Sequence, residues 1–371
     1  MSSRHDRVAA IDVGDSARLP VPVWRDIVDF CARHDVEMTS VPTGAGPAVL
    51  DATIRKLAGV DAIAVFACPD PNTRLAREVL AGVLGTQSVV GLDELLDKRR
   101  TRALCRRLGI PVPDGLEGPG RQIAERAAEL LARTGRVVVK DPAGHGGLGV
   151  TAVTDRAELL RALAGDETVV VEAFLEGEEF SVEAVCGPSG VQFVGWLAKG
   201  RTGDSEHPLT RVRYAPVETV PETLRAPCER LLRATGYHGI AEVEMVVAYG
   251  RAYMLECNPR TSGVTPVLHF SGRGSSSLRL VADLCGAPQP GGPVTAAADF
   301  PLTDREAWPA DPRAHCARPP ALYETRVFMW GEPTDLQERL ARQDPSRGAS
   351  LADRVRAADA LLAGESMPTA S

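Results

Sequence analysis

Two short segments hold the residue types that phosphate and metal chemistry require. The first is Leu255-Glu256-Cys257-Asn258-Pro259-Arg260. Glu256 and Asn258 are two apart, so on a strand both side chains leave the same face. Glu242 and Glu244 repeat that spacing on the apolar run before them. If the two runs form a hairpin through the three residues Tyr249-Gly250-Arg251, Glu244 falls opposite Glu256 and Glu242 opposite Asn258. A two-residue loop would put the pairs on opposite faces. The three-residue loop is expected, because facing carboxylates repel unless a cation lies between them. Carboxylates and an amide oxygen are hard ligands suited to Mg²⁺, which takes a few protein oxygens and completes its shell with substrate phosphates. A solvated face with incidental acids is the plainer alternative, and the apolar Met245, Val247 and Leu255 argue against it.

The second segment is Lys140-Asp141-Pro142-Ala143-Gly144-His145-Gly146-Gly147-Leu148-Gly149. Gly144, Gly146 and Gly149 formally satisfy G-x-G-x-x-G, but a dinucleotide-binding turn must open a helix directly. Val150-Thr151-Ala152-Val153 follows instead and prefers strand. A glycine-rich loop between two strands can still fold over a polyphosphate, since backbone N–H groups approach the oxygens unobstructed. Lys140 would add positive charge there, and His145 could reach a phosphate. An ordinary flexible hairpin is the alternative.

Lysine itself is informative here. The 42 basic residues include only four Lys: Lys56, Lys98, Lys140 and Lys199. Coding bias explains an Arg excess but not where Lys survives, and Arg does not freely replace a compact ammonium in a tight phosphate site. Arg211 and Arg213 share one face of the extended Thr210–Tyr214 segment and could hold a substrate carboxylate through forked contacts; a solvated edge is the competing reading. His207 and His269 could act as bases, although a lone His is more often structural. Cys257 points away from the acids and reads as buried packing.

The elements that must position these residues follow from periodicity. Val8–Val13 and Asp61–Cys68 are apolar runs like buried parallel strands, with helical segments at Pro22–Arg33 and Asn72–Leu80. The Val13-Gly14-Asp15 turn reads as a plain strand-to-helix connection. Asp97–Leu108 and Gln122–Arg133 read as helices, and Thr168–Phe174, Phe180–Cys186 and Val191–Ala198 as strands. Glu222–Thr235 is helical before the hairpin of Ile240–Val247 and Ala252–Cys257. Residues 287–320 look like a linker, with a strand at Tyr323–Trp330, a helix at Leu351–Leu362 and a disordered tail from Gly364.

The order of parts resembles the ATP-grasp superfamily: an Asp97-Lys98 helix start, a Lys-to-glycine loop, Glu172-Ala173-Phe174-Leu175-Glu176-Gly177-Glu178-Glu179, and Glu256-Cys257-Asn258-Pro259-Arg260. The resemblance covers roughly residues 90–275. It implies an α/β chain with an α+β lid, divided into an N-terminal pre-ATP-grasp α/β domain (1–92), a lid with the glycine loop (93–170), a subdomain with hinge and metal site (171–290), and residues 291–371. It also implies ATP and two Mg²⁺ ions as cofactors. Lys98 and Lys140 match lysines on the ATP phosphates, and Gly144, His145, Gly146, Gly147 and Gly149 the closing loop. Glu172, Ala173, Phe174 and Leu175 match the adenine hinge, Glu179 the ribose acid, and Lys199 a further basic residue near the phosphates. Glu244, Glu256 and Asn258 match the metal ligands, with Glu242 competing for the first place. Arg260 matches the arginine beside the transferred phosphoryl group. Lys56 has no role in this pattern.

The implied activity is ligation of a carboxylate, activated as an acyl phosphate, to an amine, in the manner of amino-acid ligases. Other ATP-grasp chemistries, purine-pathway, carboxylating or carbamoylating, are the alternatives, beside a nucleotide-binding protein without turnover. A net charge of −7 carries no basic footprint for nucleic acid, and no run of about 18 apolar residues suggests a membrane span. Eight cysteines without a CxxC pair suggest reduced thiols in a cytoplasmic protein. The partners expected are small-molecule carboxylate and amine substrates, and a homodimer is compatible with this reading.

Overall fold

In a computed structural model, the protein is described for all residues except 1–4, 15–18, 69, 143, 145–148, 204–210, 303–312, 318–325 and 366–371. The chain opens with β1 (Val8–Val13), α1 (Val21–Arg33), β2 (Glu37–Val41), α2 (Pro47–Lys56), β3 (Ala62–Ala67) and α3 (Asp70–Leu84). The strands are parallel in the order β2-β1-β3. Both faces of β1 and β3 are buried, which is why their sequences are continuous apolar runs rather than alternating ones. Helix α1 begins on a proline that needs no amide partner in the first turn, and buries Val23, Ile27, Phe30 and Cys31 at helical spacing.

Next come α4 (Val90–Leu96), α5 (Lys98–Arg107), β4 (Gly115–Pro119), α6 (Gly120–Thr134), β5 (Val137–Lys140), β6 (Val150–Val153), α7 (Arg156–Ala162) and β7 (Thr168–Ala173). The carboxylate of Asp97 caps α5 by accepting from the Arg99 amide at 2.9 Å, placing Lys98 on the first turn. Strands β4-β7-β5-β6 form an antiparallel sheet whose small core includes Leu130, Leu131, Val137, Val153, Leu159 and Val171. Strand β7 belongs to this sheet and runs through Ala173.

The remaining elements are β8 (Glu178–Gly187), β9 (Gly190–Arg201), β10 (Arg213–Ala215), α8 (Glu222–Thr235), β11 (Gly239–Ala248), β12 (Arg251–Asn258), α9 (Thr265–Leu268), α10 (Ser276–Cys285), β13 (Ala296–Pro301), β14 (Ala314–Ala317), β15 (Arg326–Gly331), α11 (Pro333–Gln343) and α12 (Pro345–Ala363). They build a sheet of order β12-β11-β8-β9-β10-β13-β15-β14. One face carries Phe180, Val182, Trp196, Val243, Met245, Met254, Phe300 and Val327 into the largest core. Helices α8, α11 and α12 cover strands of this sheet.

Two expectations need correction. Residues 287–320 are not simply a linker: β13 sits between β10 and β15, and β14 pairs with β15 at the sheet edge. Alanine is a poor strand former by propensity, but in a central strand burial decides, and Ala296, Ala297 and Ala298 are almost fully buried. Gly364 closes α12 in a left-handed conformation, so the chain is ordered through Glu365; the expected tail beyond it lies outside the described residues.

The hairpin is also turned differently. Ala248 pairs with Arg251, so the loop is the two residues Tyr249-Gly250, both at positive φ (51° and 70°) as a type I′ turn requires. The pairing then slips by one residue at Leu255, and Glu244 still meets Glu256 and Glu242 still meets Asn258. An added bulge residue restores the register that a two-residue loop alone would have reversed. No described helix is long and apolar enough to cross a membrane.

A Cβ at Gly250 would meet nothing within 4 Å, so a side chain there costs only backbone strain. Gly250→Ala is expected to lower stability by about 1–2 kcal/mol in denaturant melts; an unchanged midpoint would show that the turn does not hold the hairpin.

Candidate functional site

The face of the large sheet opposite its main core is polar where the two smaller sheets approach it. Registers explain the clustering: Glu242 lies between Glu183 of β8 and Asn258 of β12, and Glu244 between Ser181 and Glu256. Lys199 enters at a slip in the β8–β9 pairing next to Phe180. Cys257, on the other face, is buried in the core.

The acids are held by lysines and by one amide. Lys199 Nζ lies 2.7 Å from Glu244 Oε2, and Lys98 Nζ 3.3 Å from Glu256 Oε2. Asn258 Nδ2 sits between the acids, 3.3 Å from Glu244 Oε1 and 3.1 Å from Glu256 Oε1. Burial holds Glu244 above the usual carboxylate range against the opposing charge of Lys199, with Glu242 and Glu256 adding repulsion. Burial would raise Glu256 as well, but the charges of Lys98 and Lys140 bring it below its ordinary value. For Lys199, burial opposes the ammonium and the charges of Glu244, Glu242 and Glu179 outweigh it, so its pKa is raised.

This donor set suits a hard divalent cation. Two carboxylates converge on the position filled by the Asn258 amide, and a 180° turn of that amide would present an oxygen instead. Glu242 is set apart: it accepts from Ser181 Oγ at 2.7 Å and contacts neither Asn258 nor a lysine directly. No group of three or more His, Cys, Asp or Glu with metal-holding geometry occurs among the described residues, so a cation here would need oxygens from a substrate as well.

The glycine loop joins the same cluster. Its neck is closed by Asp141 N–H donating to Gly149 O at 3.1 Å, and Lys98 Nζ donates to Gly144 O while facing Glu256. His145, Gly146 and Gly147 lie outside the described residues. Lys140 pairs with Glu172, whose other oxygen accepts from Arg102. Arg102 also reaches Glu117 Oε1 at 3.1 Å and Pro113 O at 3.0 Å. At the expected hinge, the Ala173 and Phe174 amides already donate to Asp114 O and Arg136 O, and Leu175 O accepts from Thr202 Oγ1 at 2.6 Å. The Arg136 guanidinium lies 3.8 Å from the Phe174 ring centroid.

The arginines are tied down by neighbours that sequence reasoning missed. Arg260 donates to Asp70 at the start of α3, to Asn258 Oδ1 at 3.1 Å and to Thr261 O at 3.3 Å, linking the acid hairpin to the N-terminal domain. Burial would lower its pKa, but surrounding negative groups led by Cys68 and Asp70 raise it. Arg211 and Arg213 are not a free pair on a solvated edge. Arg211 Nη1 is 2.9 Å from Glu179 Oε2, and Arg213 is clamped by Asp299 of β13, which also accepts from Arg326 of β15 at 2.6 Å. Asp299 stands alone in an alanine run, and an isolated acid among buried alanines is the signal that could have found it. Lys56 is half-exposed on the N-terminal domain, paired with Glu37. His269 lies beside Asp26 of α1, away from the acid hairpin, and His207 lies outside the described residues.

Comparison with known proteins follows the same lines. Residues 95–264 match the family model described as ATP-grasp domain. The carbamoyl phosphate synthase large chain of Deinococcus radiodurans is 32% identical over 200 residues, covering 50% of this chain and 19% of that protein. This chain therefore matches about a fifth of that relative's length. Among solved structures, an L-amino acid ligase from Bacillus licheniformis superposes with a TM-score of 0.65 at 16% identity, covering 95% of this chain and 98% of the other. N5-carboxyaminoimidazole synthetase from Staphylococcus aureus complexed with ADP gives 0.69 at 13%, covering 94% and 98%. At such identities the structural likeness speaks for the fold.

Glu183, like Glu242, makes no ion pair among the described residues. Glu183 is fully buried, accepts from Thr265 Oγ1 through one oxygen, and has no partner for the other among the described residues. Burial, with a smaller push from Glu242, raises its pKa to about 8. Between its ordinary value near 4.5 and about 8, the folded protein holds a proton that the unfolded chain has released, so stability falls as pH rises through that window. Glu183→Gln is expected to flatten this slope, which is at most about 1.4 kcal/mol per pH unit for one group. Equal slopes for wild type and variant in melts across pH 5–8 would contradict it.

Proposed function

Because the chain carries an ATP-grasp domain over residues 95–264, we propose that it is an ADP-forming ligase that phosphorylates a carboxylate and passes the acyl group to an amine, with amino-acid-like substrates. One observation carries the reading: Lys98 touches both the glycine loop, at Gly144 O, and the acid hairpin, at Glu256, so flap and hairpin close on one cleft.

In this proposal Lys98, Lys140 and Lys199 neutralise the triphosphate, and the loop from Gly144 to Gly149, including His145, Gly146 and Gly147, folds over it. The Glu172–Leu175 connection borders the adenine and Glu179 the ribose. Glu244, Glu256 and Asn258 would hold Mg²⁺, which would supply charge neutralisation on the phosphate oxygens. Phosphoryl transfer needs little covalent help from side chains; positioning and electrostatics dominate. Arg260, fixed by Asp70 beside the metal ligands, stabilises charge on the acyl phosphate and then on the tetrahedral intermediate. Closure of the loop keeps water from the mixed anhydride.

A second reading, a carbamoylating or carboxylating enzyme, is favoured by the similarity to carbamoyl phosphate synthase large chain. It uses the same cleft and differs in the acid. Incubation with ATP, Mg²⁺ and pairs drawn from amino acids, other carboxylates, bicarbonate and amines, read by mass spectrometry, separates the two through the product. ADP and phosphate are expected; AMP and pyrophosphate would overturn both.

Lys140→Ala is expected to raise KM for ATP about tenfold or more. Glu256→Gln is expected to cut kcat about a hundredfold or more, with nucleotide binding largely kept. Near-normal turnover of Glu256→Gln would remove that residue from the site.

A further inference from the structure

Helix α12 lies outside residues 95–264 and packs on β9 and β10 from the main-core side of the large sheet. The Asp344 carboxylate caps it, accepting from the amides of Ser346 at 3.0 Å and Arg347 at 3.2 Å. Leu351, Arg354, Ala358 and Leu361 recur at spacings of three and four, so they share its buried face. Of the residues that α12 buries, Arg354 alone is charged, and it is 4% exposed. Burying a guanidinium is costly, and an apolar side chain at this position would complete the stripe. The charge therefore calls for a reason beyond packing.

The Arg354 guanidinium lies against Gly200 of β9, the residue that follows Lys199. An added Cβ at Gly200 would stand 2.8 Å from Arg354 Nε and nearer still to Cζ and Nη2, so the guanidinium occupies the space a side chain there would take. Gly200 has a φ of 115°, in the left-handed region that favours glycine. Arg354 Nε also donates to Val212 O at 3.4 Å, between Arg211 and Arg213. One buried guanidinium thus braces two segments that carry basic residues. The bracing matters most at Lys199. The β8–β9 ladder steps from Gly200, opposite Glu179, to Ala198, opposite Phe180, and skips Lys199. A skipped residue is left unpaired in the ladder, so the backbone on either side aims its side chain. On one side stands the most permissive residue type, held in place by Arg354. From this bulge Lys199 Nζ reaches Glu244 Oε2 at 2.7 Å.

We propose that Arg354 is a positioning residue for Lys199: its guanidinium fixes the backbone at Gly200, and so the direction from which the Lys199 ammonium enters the cleft. A helix beyond the matched domain then completes the nucleotide site. The phosphate role of Lys199 rests on the ligase reading above; the mechanical link between Arg354 and Lys199 does not.

The probes are adenosine and the non-hydrolysable ATP analogue AMP-PNP with Mg²⁺, titrated by calorimetry onto the full chain. The ratio of their affinities isolates the contribution of the phosphates. Wild type is expected to prefer AMP-PNP by about tenfold or more. In Arg354→Ala that preference should fall at least about fivefold, with adenosine affinity within about twofold and a cooperative melt retained. The same substitution in a Lys199→Ala background should change the ratio by less than about twofold, because the group it aims is gone. A purely structural role would change the ratio equally in both backgrounds, or in neither. Should Arg354→Ala fail to fold, Arg354→Met keeps the stem and removes the guanidinium, and the same pattern is expected. An unchanged ratio in the folded variant, or equal losses with and without Lys199, overturns the proposal. Absence of AMP-PNP binding by wild type, or of its preference over adenosine, would instead count against the ligase reading. The link would then be read from denaturant midpoints: non-additive shifts of Arg354→Ala and Lys199→Ala support it, and additive shifts overturn it.

Discussion

Everything in the cleft depends on how buried charge is compensated. Glu172 and Asp299 are withdrawn from water and Glu244 and Glu256 are partly so, and each is met by at least one ammonium or guanidinium group from another element. Removing one partner from such a pair leaves an uncompensated buried charge and costs far more than the pair contributes, so the elements are coupled through these contacts. The glycine loop is tied to β12 through Lys98, β5 to β7 through Lys140 and Glu172, and the N-terminal domain to β12 through Asp70 and Arg260. A triphosphate and its cations would enter by exchanging with these internal partners.

The rest of the architecture keeps this polar face intact. Alternation along each strand sends Val182, Val243 and Cys257 into the main core while Ser181, Glu183, Glu242, Glu244, Glu256 and Asn258 face the cleft. Register carries that alternation across strands, and the bulge at Leu255 and the slip at Lys199 are the places where it is adjusted. A shift of one residue in β12 would exchange Glu256 and Asn258 for Cys257. The site is thus specified by strand pairing more than by any single motif.

Local patterns were legible to the extent that they depend on near neighbours in sequence. The acid hairpin and the lysine before the glycine loop could be read from spacing, and the pairing of Glu244 with Glu256 was expected. Its register comes from a two-residue turn combined with a bulge at Leu255, not from a three-residue loop. Partners distant along the chain were not legible. Asp70 precedes Arg260 by 190 residues, and Asp299 follows Arg213 by 86. Nothing local in an alanine-rich stretch announces a central strand; only the space between β10 and β15 does.

The division of labour between lysine and arginine follows from the same constraint. Arg102, Arg213 and Arg326 each divide their donors between a carboxylate and a backbone carbonyl through a planar fork of fixed geometry. Lys140 and Lys199 each reach a single carboxylate oxygen from a flexible stem, and Lys98 adds Gly144 O to its one carboxylate oxygen. An ammonium can leave such an oxygen for a phosphate by rotating its own side chain, whereas moving a forked arginine would strand both of its acceptors. An Arg in place of Lys is therefore opposed where a cation must change partners, although Arg dominates the basic residues of this chain. On that argument, Lys rather than Arg at positions 98, 140 and 199 suits the exchange proposed for them, and the fixed arginines around them are the frame against which it would take place.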